Sequence, residues 1–477
     1  MRITIVGAGF SGVALAAALQ RVAPDHARIH LVGVEASHGG GVAYGQARPE
    51  HLLNVRARDL GLEADRPQDF ADWFHLGERG RSAFLPRQLY GDYLRDRLHA
   101  MQQAAGPRVH AVRREVVAIE RLERGLAVRL DDGAAIVSDQ VVLAVGALPP
   151  PPLAGVGPRL AVHPGYIGCP WQERALERID ADARVLVVGT GLTMADVVAT
   201  LHRRGHRGRI DALSRHGLAP LAHSEQPLPA VALPPGVLQA LAAHDLGELL
   251  RRVRALTNLV DWRAAVDALR PHTQAFWRGL PEKQRRRFLR HLRPWWDVAR
   301  HRIAPAADAQ VQALRERGQL RLLAGRVVRA GRADEGVSVL IRARGARDVR
   351  HERYDVLVRA TGLNTDVART THPLLAQLRE AGMLRADAHE LGLDAGPGME
   401  VLDARGRAVP GLFCLGPLLR GRDWEITAVP ELRVAAARLA GDLVLRHQSA
   451  AAPAPQSARA CQSQRSPSSR PRPGPGS

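Results

Sequence analysis

Gly7, Gly9 and Gly12, in ITIVGAGFSG (3–12), stand at the spacing of a backbone turn that receives a phosphate group. The first glycine permits the tight turn, the second lets main chain approach the ligand, and the third lets a helix pack closely on a strand. Amide N–H groups at the helix start then face the anion. A second such turn lies in VLVVGTGLTMAD (185–196), where Gly189 and Gly191 keep the first two positions and Met194 replaces the third glycine. Ser11 and Thr193, just inside the two turns, are candidate contacts to the same groups.

The elements around each turn are those a dinucleotide cradle needs. Residues 3–6 read as a strand, 7–12 as the turn, 13–22 as a helix and 29–34 as a second strand ending at Glu35, whose carboxylate can accept hydrogen bonds from an adenosine ribose. The second unit spans about 184–215. Its strand RIDALSR ends in Ser214 and Arg215 instead of an acid. An acid would repel a 2′-phosphate and an arginine pairs with it, so NADPH is expected over NADH. Two cradles in one chain suit a flavin and a nicotinamide exchanging hydride, hence FAD in the first and NADPH or NADH in the second.

The expected fold is α/β, with two dinucleotide-binding, Rossmann-like domains. The chain crosses between them at 144–146 and 360–362, which makes Gly362 a candidate cofactor contact. The FAD domain is expected at 1–150 and 350–447, and the NAD(P) domain at 151–349. Residues 236–302 carry apolar side chains at three- and four-residue spacings and read as a helical insertion in the latter. Residues 448–477, rich in Ser, Pro, Gln and Arg, are expected to be a disordered tail.

The formal charge of +19 rests almost wholly on arginine, since Lys283 is the only lysine. The arginines are scattered and aromatic residues make up 4%, so nucleic acid is not an expected partner, whereas anionic small molecules are favoured. No apolar run nears the roughly 18 residues of a membrane span. The N-terminus lacks a basic segment and cleavage site, which points to the cytoplasm. Cys169, Cys414 and Cys461 form no CxxC pair, which argues against a dithiol relay. No metal-ligand spacing is present, and the oligomeric state is left open.

Catalytic candidates are sparse. The glycine-rich stretch GGVAYGQARPEHLLNVRARDLG (40–61) reads as a loop over a ligand and contains His51 and Asn54. His51 is either a proton relay or a hydrogen-bonded structural histidine. Glu425, in RDWEITAVPE, takes a substrate proton, pairs with Arg422, or caps the helix that follows. Arg300 and Arg302, in WWDVARHR, are candidate phosphate partners.

Three stretches resemble the bacterial NAD(P)/FAD-binding proteins of the two-Rossmann flavoprotein class. They are GGGVAYGQARPEHLLNVRA (39–57), GTGLTMAD (189–196) and GLFCLGPLLRGRDWEITAVPELRVAAARLA (411–440). The resemblance covers about residues 1–446. Its members of known activity are similar to flavin monooxygenases, and include amino-acid N-hydroxylases and a urate hydroxylase type. It implies FAD, NAD(P)H and O₂ acting on a small polar substrate. Urate, in purine catabolism, is the specific expectation, because a basic chain favours an anionic purine. Hydroxylation of an amino-acid or amine nitrogen is the second reading, and a flavin-binding regulator without turnover the third. In most of the class an aspartate following VPGLFCLG holds the flavin ribityl chain, whereas here Pro417 follows Gly416. The resemblance also implies that a helix beginning near Thr427 aims its N–H groups at the flavin pyrimidine.

Overall fold

The structure is a computed structural model that describes residues 1–451, without 105, 107, 149, 151, 173 and 363, and residue 474. The chain begins with strand β1 (Arg2–Val6), helix α1 (Phe10–Val22) and strand β2 (Arg28–Val32). A long connection with short helices at Gly41–Gly45, Asp69–Trp73 and Glu78–Arg81 leads to α2 (Arg87–Gln103) and β3 (Val109–Val112). Strands β4 (Val116–Arg121), β5 (Leu126–Leu130) and β6 (Ala135–Ser138) form an antiparallel sheet of their own, and β7 (Gln140–Leu143) returns beside β1. The chain over 109–121 thus forms two strands in two different sheets.

A second unit follows, with β8 (Tyr166–Ile167), β9 (Val185–Val188), α3 (Leu192–Arg203) and β10 (Ile210–Ser214). The helical insertion comes next, as α4 (Pro235–Ala242), α5 (Leu246–Leu256), α6 (Trp262–Leu269), α7 (Thr273–Gly279), α8 (Glu282–Arg287) and α9 (Arg293–Arg300). Helix α10 (Pro305–Glu316) and strands β11 (Leu320–Arg332), β12 (Val337–Ala343), β13 (Arg350–Tyr354) and β14 (Val356–Arg359) complete the second sheet. The chain then returns to the first sheet through β15 (Glu400–Leu402) and β16 (Ala408–Cys414), and closes with α11 (Val429–Ala451).

The first sheet runs β15-β16-β7-β1-β2-β3 and the second β13-β12-β11-β10-β9-β14-β8. In each, the strand preceding the glycine turn lies between two parallel partners: β1 between β2 and β7, and β9 between β10 and β14. Strand order reverses there, and the crevice this opens beyond the strand ends is where α/β sheets bind ligands. Strand β1 is β-branched at every position of Ile3–Val6 and buried there because both its faces are packed, with α1 and, through the Thr4–Ser138 hydroxyl bond (2.6 Å), β6 against it. Helix α1, with nine buried positions, is apolar nearly all round for the same reason.

Several expected boundaries need correction. Helix α1 starts at Phe10, so Gly12 lies inside the helix. Strands β13 and β14 pair within the second sheet, so the FAD domain cannot resume at residue 350. The terminal helix starts at Val429 and runs to Ala451, so the first residues of the expected tail are helical, and 452–473 and 475–477 lie outside the described residues.

Each sheet has its own apolar core. A further cluster joins Leu246, Trp277 and Leu280 of the insertion to Leu391 and Trp424 of the returning segment. The insertion therefore belongs to the second unit by sequence and packs on the first. No helix among the described residues is long and apolar enough to cross a membrane.

Candidate functional site

Gly7 turns out of β1 with φ +113°, and a Cβ there would lie 2.2 Å from the Ala144 carbonyl oxygen. A Cβ at Gly12 would lie 1.9 Å from the Gly7 oxygen. Both glycines are required by the chain's own close approach. Gly9 is different: its Cβ would meet only the Gly41 main chain, at an ordinary 3.5 Å from Cα and 3.9 Å from N. The second turn repeats the division. Gly189 (φ +117°) would strike Ala360 O at 2.0 Å, and Gly191 would meet nothing within 4 Å. Gly9 and Gly191 stand at the N-caps of α1 and α3, and neither helix start has a side-chain cap. Bare main chain over uncapped N–H groups fits a pyrophosphate at each place. Ser11 is buried and Thr193 half-buried in the first turns of these helices. Met194 is wholly buried in the second core, so the position of the missing third glycine is filled by packing.

At the ribose ends the two units diverge. Glu35 lies exposed in a short 3₁₀ turn and pairs with Arg113 at 3.2 Å. Ser214 is half-buried and its Oγ accepts from Thr190 Oγ1 (2.8 Å) and the Gly217 N–H (3.0 Å), so it shapes the turn after β10. Arg215 is exposed and has no acidic partner among the described residues. Burial and then the charges of Arg344 and Arg215 hold the His216 pKa below its ordinary value.

The other expected flavin contacts converge on the exit of β16. Gly416 has φ +122°, and a Cβ there would come within 3.1 Å of Ser11 Oγ, so the two segments meet at the first cradle. Pro417 opens a 3₁₀ turn over Pro417–Leu419. The Thr427 N–H is bonded to Glu425 O at 2.7 Å, two residues before α11 begins. Gly362 (φ +84°) faces open space at the crossing out of the second sheet.

The loop 40–61 is held against the second unit. The Asn54 carbonyl accepts from His223 Nε2 at 3.0 Å. Arg56, buried and stacked 4.8 Å over Phe84, donates to Ser82 O, Ser224 O and Glu225 O. His51 is buried, with its ring edge-on to Trp171 at 5.5 Å. Its Nδ1 accepts from the Arg48 N–H at 3.2 Å, and its Nε2 meets Thr200 Oγ1 at 2.9 Å. Thr200 in turn donates to Glu50 Oε1 at 2.9 Å, so His51 must donate to Thr200 from a protonated Nε2. Burial, then the charge of Arg87, pushes the His51 pKa down to about 4. Burial, then Arg302, pushes His223 down to about 3. His51 is therefore a neutral member of a fixed chain at the contact between the two units.

These two histidines and Asp196 set an acid sensitivity. In the unfolded chain a histidine takes its proton near pH 6.5, while the folded His51 and His223 refuse theirs until about 4 and about 3. Their contribution is complete above pH 6.5 and falls as the pH is lowered. Asp196 works in the opposite sense, since burial raises its pKa to about 6 and the folded state gains its proton first. Two groups oppose one, so these three alone lower stability by on the order of 2 kcal/mol between pH 7 and 5, and the other histidines that burial holds below their ordinary pKa, His30, His206, His301 and His372 among them, add to the loss. Urea unfolding at both pH values measures this, and His223→Gln should flatten the slope. An equal loss in that variant would remove the histidine from the account.

Glu425 is wholly buried at the start of the loop before α11, with φ +72°. The Trp296 indole donates to its Oε1 at 2.7 Å, and Arg300 Nε lies 3.2 Å from Oε2. Arg422, the expected partner, pairs with Asp423 instead. Burial raises the Glu425 pKa, but His301, Arg300, the Trp296 N–H and Arg420 outweigh it and hold the carboxyl below the usual glutamate value. Nearby, Arg270 binds Glu431 of α11 (Nη2 to Oε2, 2.7 Å) and Arg278 binds Asp423 (2.6 Å). Arg300 and Arg302, expected as phosphate partners, are both buried in ion pairs, Arg302 with Asp267. Both catalytic candidates thus lie in contacts that dock one unit on the other. Among the described residues no group of His, Cys, Asp and Glu is placed to hold a metal ion.

Arg56, Arg87, Asp196, Thr200 and His223 were missed by sequence reasoning. Asp196, Thr200 and Arg203 do carry one signal, polar residues at helical spacing on a helix whose other faces are apolar.

Residues 4–148 match a family model described as FAD-NAD(P)-binding. No curated protein matches the sequence. Among solved structures, the chain is similar to the Kutzneria sp. 744 ornithine N-hydroxylase with reduced FAD, NADP⁺ and L-ornithine, at 17% identity and TM-score 0.65, over 94% of this chain and 99% of that one. It is similar to the reduced form of the Pseudomonas aeruginosa ornithine hydroxylase, at 17% identity and TM-score 0.63, with coverage of 94% and 99%. It is also similar to L-lysine 6-monooxygenase from Pseudomonas syringae, at 18% identity and TM-score 0.59, with coverage of 93% and 98%. The fold is that of a two-Rossmann FAD/NADP flavoprotein.

Proposed function

We propose that this chain is a FAD-dependent, NADPH-consuming monooxygenase that hydroxylates an amine nitrogen of a small polar substrate. The observation that carries the reading is the pair of bare, uncapped glycines, Gly9 and Gly191, at the two switch points of one chain. The likeness to hydroxylases of ornithine and lysine favours amine nitrogen over the urate expected from the sequence. Bound FAD supplies the relay of two electrons from nicotinamide to O₂ and the delivery of one oxygen atom. Overall, amine, NADPH, a proton and O₂ become hydroxylamine, NADP⁺ and water.

In this reading Gly7, Gly9, Ser11, Gly12 and Gly416 surround the FAD pyrophosphate and ribityl chain, Glu35 holds its ribose, and the loop around Asn54 with Thr427 and the start of α11 borders the ring. Gly189, Gly191 and Thr193 hold the nicotinamide dinucleotide, and Gly362 borders it. Arg215, with Arg344 and His216, receives the 2′-phosphate. The chain's other task is to exclude water from the reacting centre. A charge-assisted pair to phosphate contributes roughly 1.5–3 kcal/mol. Arg215→Ala should therefore raise the NADPH KM about tenfold to a hundredfold and leave that for NADH unchanged. Equal changes for both would leave Arg215 no part in recognition.

The deciding experiment supplies ¹⁸O₂ and NADPH with ornithine, lysine, cadaverine and urate in turn, and reads the product mass. One labelled oxygen on an amine nitrogen supports the reading. Label on urate alone would return the purine assignment, and NADPH oxidation without labelled product from any of the four would overturn hydroxylation of this substrate class.

A further inference from the structure

Helix α3 has two jobs at once. Its uncapped start at Gly191 faces the second cradle, while Asp196, Thr200 and Arg203, at i, i+4 and i+7, turn toward the first unit. Asp196 and Thr200 are buried polar side chains on a helix otherwise filled with apolar contacts. Arg87, the first residue of α2, pairs with Asp196 at 3.0 Å and also donates to Leu52 O at 3.2 Å. Its guanidinium lies 5.8 Å above the Trp171 ring. Thr200 joins His51 to Glu50, and Arg203 holds the other oxygen of Glu50 at 2.8 Å. Beside this contact lies an open cleft of about 450 Å³ between Glu50 and Leu52 on one side and His202, Ala307, Gln310 and Ala313 on the other. The two units meet here through a short chain of directed bonds next to a gap.

We propose that Arg87–Asp196 and Glu50–Thr200–His51, with Arg203, form a latch that fixes the second cradle relative to the first, and that these are positioning residues for hydride transfer between the two cofactors. This rests on the proposed function. Directed hydrogen bonds fix orientation, whereas apolar contacts allow sliding. A misplacement of about 1 Å between reacting groups costs on the order of a hundredfold in rate. The latch lies on the helix that binds the dinucleotide, so loosening it displaces the nicotinamide while leaving the cradle's own N–H groups intact.

The test is stopped-flow reduction of the FAD-loaded protein by NADPH without oxygen, using wild type, Thr200→Val, Thr200→Ser and the milder surface variant Arg203→Gln. Thr200→Val should lower the limiting reduction rate tenfold to a hundredfold at an NADPH Kd within about twofold of wild type. Thr200→Ser should restore most of the rate, and Arg203→Gln should lower it less than Thr200→Val. Small-angle X-ray scattering of the same proteins should show Thr200→Val more expanded than wild type. An unchanged reduction rate, a loss that follows Kd alone, or no rescue by serine would overturn the latch. If NADPH does not reduce wild type, the proposed function fails, and the scattering comparison then decides whether the latch holds the two units.

Discussion

Gly9→Val should give protein that folds and is colourless, and Gly191→Val protein that is yellow and not reduced by NADPH. The expectation follows from what a side chain would touch. At Gly9 a Cβ has its nearest contact at an ordinary 3.5 Å, and at Gly191 none within 4 Å, so the chain itself has room for a side chain to begin at both. A pyrophosphate lying on the main chain does not. Losing two charge-assisted hydrogen bonds costs about 3–6 kcal/mol, or roughly 10²–10⁴-fold in affinity. Gly12→Ala is the contrasting case. Its Cβ would sit 1.9 Å from Gly7 O, so it should lose stability as well as flavin. Absorbance of bound flavin, circular dichroism and NADPH titration separate these outcomes. Gly9→Val protein that keeps stoichiometric FAD would remove the first cradle from the account.

Glu425→Leu should cost about 3–5 kcal/mol of stability, because it leaves Arg300 buried without that carboxylate. Glu425→Gln keeps a partner for the Trp296 indole but removes the charge, and should cost less. Glu425→Leu with Arg300→Leu should recover much of the loss, since the penalty lies in the stranded charge. Denaturant unfolding of wild type, Glu425→Leu, Arg300→Leu and the double variant completes the cycle. A catalytic base would behave differently: Glu425→Gln would keep full stability and lose turnover. That pattern would make Glu425 a participant in chemistry and no longer a docking residue.

Both glycine turns were legible in the sequence because their cause is local. A tight turn, a bare approach and a helix start all fall within about six residues, and glycine spacing records them directly. Ser214 was read as a cofactor contact, yet it is bound by Thr190 and Gly217, because turn chemistry competes for a serine hydroxyl. The docking contacts were illegible for a different reason. His51 and Thr200 are separated by 149 residues and Trp296 and Glu425 by 129, and no pattern along the chain pairs them. The boundary at 350 failed because β13 and β14 read equally well as strands of either sheet. Only pairing partners decide between them.

The apolar cluster that joins Trp277 and Leu280 to Trp424 and Leu391 bears on how the protein comes apart. Two sheets with separate cores would ordinarily melt in two steps. Here the insertion hangs from one sheet and fills its hydrophobic face against the other, so neither can open without exposing the tryptophans shared between them. Calorimetry should therefore record one cooperative heat-absorption peak, and a fragment ending before the insertion's contacts are made should emerge from synthesis unable to bury Trp277.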